Sequence, residues 1–559
     1  MRSFFASTLL SAAILLPSEL EEFSKSALST VVFGSNIFFW RAAGYFAKPA
    51  LEMPLLHTWS LGVEEQFYII FPFATFALAS FGKIRWAPWF AIGVVASFGL
   101  NIWNVSHYPE AAFYLPAGRA WEFLIGSILA VGRPPLITRD LHKAGMIIAG
   151  LLLITLPVVL FDESTPFPGL AAVPSCLGAA LFIWGHSDSN NKTLGLPIFK
   201  IPVFFGTISY SLYLWHRPVI AFYRKYHGLS AQAQITNVEK TILFVAMVGL
   251  AYGSFRFIEQ PVRNRVFIST RVALLAATEL ASICIAALAT VGVLSHGFPS
   301  RVDSKIAAIE KYLDYASEPY FRAHRCFLSR EDSFSDLHDE CTLIDPKKHN
   351  ILIWGDSAAA QYVYGFEATA EQYGWQILQA TEAGCPPILG VGPKLLPNCQ
   401  AFNGSVEALI ERKRPDALVL SAHWHKNEQS YLFEALEILV RQGVPVFVLG
   451  PPIEYIDRLP YLLAQFAASG REHVRSRAYL DKEIFEIEAQ MQDPIARMSG
   501  VTFISILTNV CSPVECPPLV DGMVPVQFDR FHLTAPGSAF IARKIAPIIA
   551  ARLPPKSFD

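Results

Sequence analysis

Nine mostly apolar stretches crowd into residues 1–296, and none follows in residues 297–559, so the two halves of the chain must fold in different solvents. The stretches are read at 3–17, 64–81, 87–103, 119–132, 144–160, 166–185, 203–222, 239–257 and 272–296. A further aromatic run, 28–41 (LSTVVFGSNIFFWR), falls short of the roughly 18 residues a spanning helix needs and is expected to lie in the interface or re-enter it. Residues 3–17 are too weakly basic in front to read as a signal peptide. With 559 residues, 52% hydrophobic and 16% charged, a single soluble domain is excluded. The organisation expected is a multi-span α-helical membrane bundle over 1–296, a linker or collar over 297–345, and a separate domain over 346–559.

Short loops place the ends of the bundle. Lys83 and Arg85, then Arg133, Arg139 and Lys143, then Lys192 and Lys200, then Arg263, Arg265 and Arg271 alternate with an acidic loop at Asp162 and Glu163; Arg224 and Lys225 run against the scheme. The balance puts the N-terminus in the cytoplasm, residues 57–65 at the outer face, and the second half outside. Cysteine usage points the same way. Cys326, Cys341, Cys385, Cys399, Cys511 and Cys516 all lie in the second half, and their order suggests three local bridges in an oxidising compartment, although order alone leaves other connectivities open. No pair of closely spaced Cys/His knuckles marks a zinc site, and a net charge of −2 without a Lys/Arg block argues against nucleic acid as a partner.

Polar side chains interrupt the apolar half at a few points. PLLHTWSLGVEEQFY (54–68) brings His57, Trp59, Glu64 and Glu65 to the mouth of a span; AGRAWEFLIG holds Arg119 and Glu122; ISYSLYLWHRP ends in His216; FRFIEQPVR holds Arg256 and Glu259. A charge in hydrocarbon costs roughly 2.5–3.5 kcal/mol even on gentle scales, so such clusters imply a shared polar chamber. Simpler readings stand beside it: an interfacial aromatic belt, and an Arg119–Glu122 ion pair three residues apart on one helical face.

The second half opens its core at Asn350–Trp354, a short apolar strand running into Gly355-Asp356-Ser357 and a helical stretch. Apolar strands at 375–380, 416–421, 445–450 and 501–506 alternate with helices near 404–413, 428–442, 478–498 and 536–552, which predicts a parallel sheet covered on both faces. A serine at a strand-to-helix turn exposes its hydroxyl beside helix N–H groups that suit an oxyanion. Asp529 and His532, three apart before the last helix, can supply a base and the group that orients it. Singly these are turn and cap residues; their order makes a nucleophile–base–carboxylate set.

In their order and spacing, PLLHTWSLGVEEQFY, AGRAWEFLIG, ISYSLYLWHRPV and RFIEQPVRN resemble the membrane acyltransferase-3 family of O-antigen and peptidoglycan O-acetylases, and residues 346–559 resemble the SGNH (flavodoxin-like α/β) domain often fused behind it. The resemblance implies an integral inner-membrane O-acyltransferase with a periplasmic C-terminal domain. It would move an acyl group from cytoplasmic acetyl-CoA, used as substrate and with no metal, to an outer glycan such as the lipopolysaccharide O-antigen. It casts Ser357 as nucleophile, His532 as base and acid, Asp529 as its orienting carboxylate, and the N–H groups of Ser357 and Gly384 as oxyanion donors. His57, Trp59, Glu64, Glu65, Arg119, Glu122, His216 and Glu259 would then line the acyl route.

Some features depart from the family. Its first two helices, with an Arg and a His at the proposed transfer site, have no counterpart, so the chain is expected to be N-terminally incomplete or to lack that step. The SGNH asparagine is replaced by the run Ser421-Ala422-His423-Trp424-His425, in which Trp424 resembles what fused members carry and is expected, with Gly384, at the oxyanion or substrate site. Ala358 stands where a histidine often follows the serine, and His423 and His425 face substrate or are merely solvated. An anchored carbohydrate esterase and a non-catalytic remnant are the alternatives.

Overall fold

The computed structural model describes residues 2–43, 53–80, 85–132, 140–162, 165–186, 200–227, 235–266, 270–330, 332–389, 397–426, 428–468 and 477–553. Two compact units result, Met1–Phe298 and Pro299–Asp559. Of the loop charges used above, Lys83, Arg133, Arg139, Glu163 and Lys192 lie outside the described residues.

The first unit is helical throughout: α1 Arg2–Ile14, α2 Pro17–Val31, α3 Ser35–Ala42, α4 Thr58–Ala79, α5 Trp86–His107, α6 Pro109–Tyr114, α7 Pro116–Gly132, α8 Asp140–Leu160, α9 Val173–Gly185, α10 Lys200–His227, α11 Asn237–Ser254, α12 Gln260–Arg263 and α13 Arg271–Leu294. Helix α5 packs on α7, α8 on α9, α2 on α13 and α10 on α11. Its polarity is inverted relative to a soluble domain. Phe73, Phe76, Leu141 and Val158 are exposed, whereas Ser97, Asn101 and Ser211 are buried. Asn101 accepts from the Gly169 N–H at 2.8 Å and donates to the Ala112 carbonyl, so its burial is compensated.

Among the described residues four helical stretches are long and apolar enough to cross a bilayer: Trp86–His107, Leu141–Leu160, Asn237–Arg263 and Arg271–Leu294. Hydropathy alone marked nine. The difference lies in where helices stop and what they carry. Helix α1 has 13 residues, and α9 with the 3-10 turn that leads into it, Gly169–Gly185, is shorter than the roughly 18 residues a spanning helix needs. Helix α4 reaches 22 residues and α10 reaches 28, yet they carry Glu64 and Glu65, and His216 and Arg217. The aromatic run 28–41 is not one element either: α2 ends at Val31, Phe33 takes a left-handed φ of 57°, and α3 starts after Gly34.

The second unit is a six-stranded parallel sheet. Its strands are β1 Phe327–Leu328, β2 His349–Gly355, β3 Trp375–Glu382, β4 Ala417–Ser421, β5 Val446–Leu449 and β6 Val501–Ile504, in the order β1-β3-β2-β4-β5-β6. Helices α14 Ser304–Glu310 and α15 Glu318–Phe321 precede β1, and between the strands run α16 Ser357–Tyr373, α17 Pro397–Lys413, α18 Gln429–Arg441, α19 Leu459–Ala468 and α20 Glu483–Ala496. Beyond β6 come α21 Ile506–Val510, a two-stranded ribbon (β7 Leu519–Val520, β8 Val524–Pro525) and α22 Ala535–Ala550. Alternation along β2 sorts the two faces. Ile351 and Ile353 join Val363 and Phe366 of α16 and Ile541 and Ile545 of α22, while Leu352 and Trp354 join Phe402 of α17 and Leu436 of α18. The reading of 297–345 as a collar outside the core is corrected here. Phe327–Leu328 pairs with Thr381 and Glu382 of β3, and Leu328 is buried, because a parallel edge strand needs only a few residues once β3 offers its open side.

Three disulfides staple this unit, Cys326–Cys341, Cys385–Cys399 and Cys511–Cys516, the pairs their order suggested. Helices α16 and α22 lie close enough that a methyl group on Gly365 would fall 2.2 Å from the Ser538 carbonyl oxygen, and the Gly365 N–H donates to Ser538 Oγ at 2.9 Å. Gly365→Ala is therefore expected to push the two helices apart and cost about 1–3 kcal/mol, read as a lowered thermal midpoint of the full chain.

Candidate active site

Strand order places a crevice before any side chain is considered. With β3 on one side of β2 and β4 on the other, successive connections leave in opposite directions at β2/β4, and loops after the strand ends open a cleft there. Gly355 closes β2 with φ +148°, and a methyl group on it would lie 1.8 Å from the Ser421 carbonyl oxygen, so only glycine permits the turn. Asp356 then caps α16, its Oδ1 accepting from the Ala358 N–H at 2.8 Å. Ser357 is the first helical residue and stays partly exposed.

His532 arrives from the far end of the chain. Its Nε2 lies 2.8 Å from Ser357 Oγ and its Nδ1 2.6 Å from Asp529 Oδ2, while Asp529 Oδ1 accepts the backbone N–H groups of His532 and Phe531 at 2.6 and 2.9 Å. The loop that achieves this is tied at both ends. Phe528 N–H bonds the His532 carbonyl, Thr534 N–H bonds the Val526 carbonyl, and Leu533 N–H bonds Gln361 Oε1 of α16 at 2.8 Å. Burial disfavours the Asp529 charge, but the imidazole and the N–H donors outweigh it and hold the carboxyl below its usual range. A carboxylate, an imidazole and a hydroxyl in series can move a proton from the serine to His532, leaving a nucleophilic oxygen.

Among the described residues the N–H groups of Ser357 and Gly384 meet no acceptor. Ser357 N–H is one of the unpaired donors at a helix start, and Gly384, at φ +68°, turns the chain just after β3, whose Thr381 is in register with Gly355. Trp424 is corrected. Its indole N–H donates to the Leu449 carbonyl at 3.0 Å and its ring is buried in the sheet core, so it packs and offers the site no side-chain donor.

The sequence names His423 as a residue that faces substrate or solvent, but not Glu454, the carboxylate that orients it. His423 Nε2 lies 2.9 Å from Glu454 Oε2, its backbone N–H donates to Asp356 Oδ2 at 3.0 Å, and its ring stacks on Phe531 at 4.4 Å; His425 stands edge-on to it at 4.8 Å. Glu454 also pairs with Arg530 at 2.9 Å, and Arg530 with Asp481 at 3.0 Å. Arg530, lying between Asp529 and His532, was the available signal. Burial works against a charged His423, yet the hydrogen bond and charge of Glu454 overcome it and raise its pKa; burial likewise raises that of Asp356.

In the helical unit the expected polar residues form separate groups. His57 and His216 bring their rings to 5.6 Å, with Tyr213 at 5.6 Å from His57 and its hydroxyl bonded to the His57 carbonyl at 2.5 Å and to Ser60. Trp59 packs on Phe113, and Arg119 lies 5.0 Å over its ring while forking onto Glu122 at 3.0 and 2.9 Å. Glu64 accepts from Tyr68, Glu259 accepts from Ser211 at 3.2 Å and pairs with Arg263, and Glu65 makes no side-chain hydrogen bond among the described residues. Arg256 turns to Gln260.

Residues 3–256 match the acyltransferase domain family, and residues 325–547 match the SGNH domain fused to AT3 domains. Residues 3–256 thus carry an acyltransferase-3 domain and residues 325–547 an SGNH domain. The chain is 30% identical over 270 residues to the O-acetyltransferase OatA of Staphylococcus aureus (45% of this chain, 43% of that one) and 32% identical over 279 residues to the peptidoglycan O-acetyltransferase OatA of Listeria monocytogenes (45% and 42%). It thus spans less than half the length of these curated relatives. The solved periplasmic domain of a Salmonella ser. Paratyphi A lipopolysaccharide acetyltransferase is 24% identical, covering 43% of this chain and 96% of that one, with a TM-score of 0.37, too low to transfer structural detail.

Two outcomes follow from this geometry. Trp424→Phe is expected to cost about 1 kcal/mol of stability for the lost hydrogen bond and to leave turnover within a few-fold, checked by thermal melts and acyl release. Because the folded pKa of His423 is raised, its contribution to stability is complete below the ordinary imidazole value of about 6.5 and is lost as pH rises through the raised value. The melting-temperature gap between the parent and His423→Gln should therefore be widest near about pH 6 and shrink towards about pH 9.

Proposed function

We propose that this protein is an integral membrane O-acyltransferase that transfers an acyl group, acetyl by the names of its relatives, from cytoplasmic acetyl-CoA to a hydroxyl of a cell-surface glycan. The observation that carries the reading is the hydrogen-bonded series Asp529–His532–Ser357 at the strand ends of a domain joined to an acyltransferase-3 domain. Three disulfides support an extracytoplasmic, in an inner-membrane protein periplasmic, second domain, since such bonds persist in oxidising compartments. The bundle, with its buried His57 and half-buried His216, would carry the acyl group to the outer face.

In this mechanism Ser357 Oγ attacks the acyl carbonyl as His532 Nε2 takes its proton, and Asp529 holds the imidazole in the matching tautomer. The N–H groups of Ser357 and Gly384 stabilise the oxyanion. His532 returns its proton to the departing carrier, leaving an ester on Ser357. A glycan hydroxyl then repeats the sequence in reverse, and the site must keep water out for transfer to outrun hydrolysis.

Mass spectrometry of the full chain after acyl-donor treatment is expected to find an acetyl group on the peptide containing Ser357, absent in Ser357→Ala, whose transfer activity should be lost. Asp529→Asn should lower turnover by about 10³–10⁴-fold with folding retained. Unchanged product from Ser357→Ala would overturn the reading, and release of acetate to water with none on glycan would make the protein an esterase.

A further inference from the structure

A row of aromatic rings leads from the collar to His532. Tyr315 has Tyr320 at 5.7 Å and 14°, Phe528 at 5.3 Å and 27°, and Tyr312 at 5.8 Å and 20°; Phe528 in turn has the His532 ring at 5.7 Å and 11°. The planes are nearly parallel. Tyr364 closes the outer end, edge-on to Tyr320 at 5.3 Å.

Folding alone does not require this arrangement. Tyr320 is 36% and Tyr364 38% exposed, so the outer rings of the row face solvent rather than core. The row is nonetheless held in place. Tyr315 Oη accepts from the Ala535 N–H at 2.9 Å, three residues past His532, and Arg322 of the collar pairs with Glu367 of α16. Tyr364 is seven residues after Ser357 on α16, two helical turns, so both lie on one helical face about 10 Å apart along the axis, the span of a disaccharide.

We propose that Tyr320 and Tyr364, backed by Tyr315 and Phe528, form the acceptor subsite on which pyranose rings of the glycan stack, so that the next hydroxyl along the chain is delivered to Ser357. This rests on the acyltransferase reading of that serine. A pyranose offers an apolar C–H face that lies against an aromatic ring and a rim of hydroxyls that hydrogen-bond tyrosine hydroxyls. A short row rimmed with hydroxyls suits a sugar better than a long acyl chain, which would favour a continuous apolar groove. In the transfer the acceptor oxygen bonds to the acetyl carbonyl carbon as the bond from that carbon to Ser357 Oγ breaks. The acceptor proton passes to His532 Nε2 and from there to Ser357 Oγ.

The test uses the full chain in detergent, p-nitrophenyl acetate as donor, and a panel of neutral hexose and N-acetylhexosamine oligosaccharides as acceptors. Tyr320→Ala and Tyr364→Ala are expected to raise the acceptor KM about 10-fold while leaving the nitrophenolate burst unchanged. Tyr320→Phe, which keeps the ring, should stay within about 3-fold of the parent. Unchanged acceptor KM in both alanine variants, a burst that falls in parallel, or a panel in which no sugar discharges the acyl-enzyme would overturn the subsite. A parent that gives no burst, or a burst that survives in Ser357→Ala, would instead overturn the serine reading on which the subsite rests.

Discussion

The site depends on the close approach of α16 and α22. Ser357 and His532 are 175 positions apart, and a 2.8 Å contact between them survives only if α16, which Ser357 begins, and α22, which starts three residues past His532, cannot slide. Gly365 removes the side chain that would separate them, Ser538 Oγ bonds the N–H this exposes, and Ile541 and Ile545 fill the face beneath. Gly537 lets the first turn of α22 lie against the segment after β8, where a methyl group would fall 2.0 Å from the Val526 carbonyl oxygen. Packing of ordinary apolar side chains thus sets the distance across which a proton is to move.

Electrostatics then decides which groups sit there as ions. Asp356 is buried beside Ser357, and burial raises its pKa despite two N–H donors, so it acts first as a cap that fixes the helix start. Asp529 is half-buried but faces an imidazole, and its pKa moves the other way. Two carboxylates within one crevice therefore differ in character because one meets a chargeable partner directly and the other meets mainly backbone. The chain Asp481–Arg530–Glu454–His423 keeps charges paired along the edge of the same loop, which limits the desolvation penalty of holding four ionisable groups there.

Much of this was legible in the residues. Apolar runs of strand length alternating with helical stretches predict the parallel sheet, because each buried strand must be apolar on both faces. The turn Gly355-Asp356-Ser357 and the spacing of Asp529 and His532 announce groups that meet in space. What the sequence hides is anything that depends on the third dimension. Phe327–Leu328 is too short to show a period, and Tyr312, Tyr315 and Tyr320 fall in a stretch whose composition reads as linker, so neither sheet edge nor aromatic row could be found before β3 and α16 were in place. In the helical unit hydropathy marks apolar content but not where helices end, here at Ile14 and at Gly185.

The end of β4 shows how one residue of register assigns roles. Side chains on a strand alternate in direction, and the alternation persists through Ser421, Ala422, His423 and Trp424. Ala422 and Trp424 turn to the face filled by α17 and α18, where the indole N–H caps the last carbonyl of β5. Ser421 and His423 turn to the other face, where Ser421 Oγ bonds the Ala358 carbonyl and His423 meets Asp356, Phe531 and Glu454. The residue with the family likeness is thereby a packing residue, and its less conspicuous neighbour takes the place beside the serine. A polar ring presented to the core at position 424 would lack a partner for one of its nitrogens, and an indole at 423 could not accept the backbone-anchored position between Phe531 and Glu454 without losing the ion pair; the order His-Trp is the one that both faces tolerate.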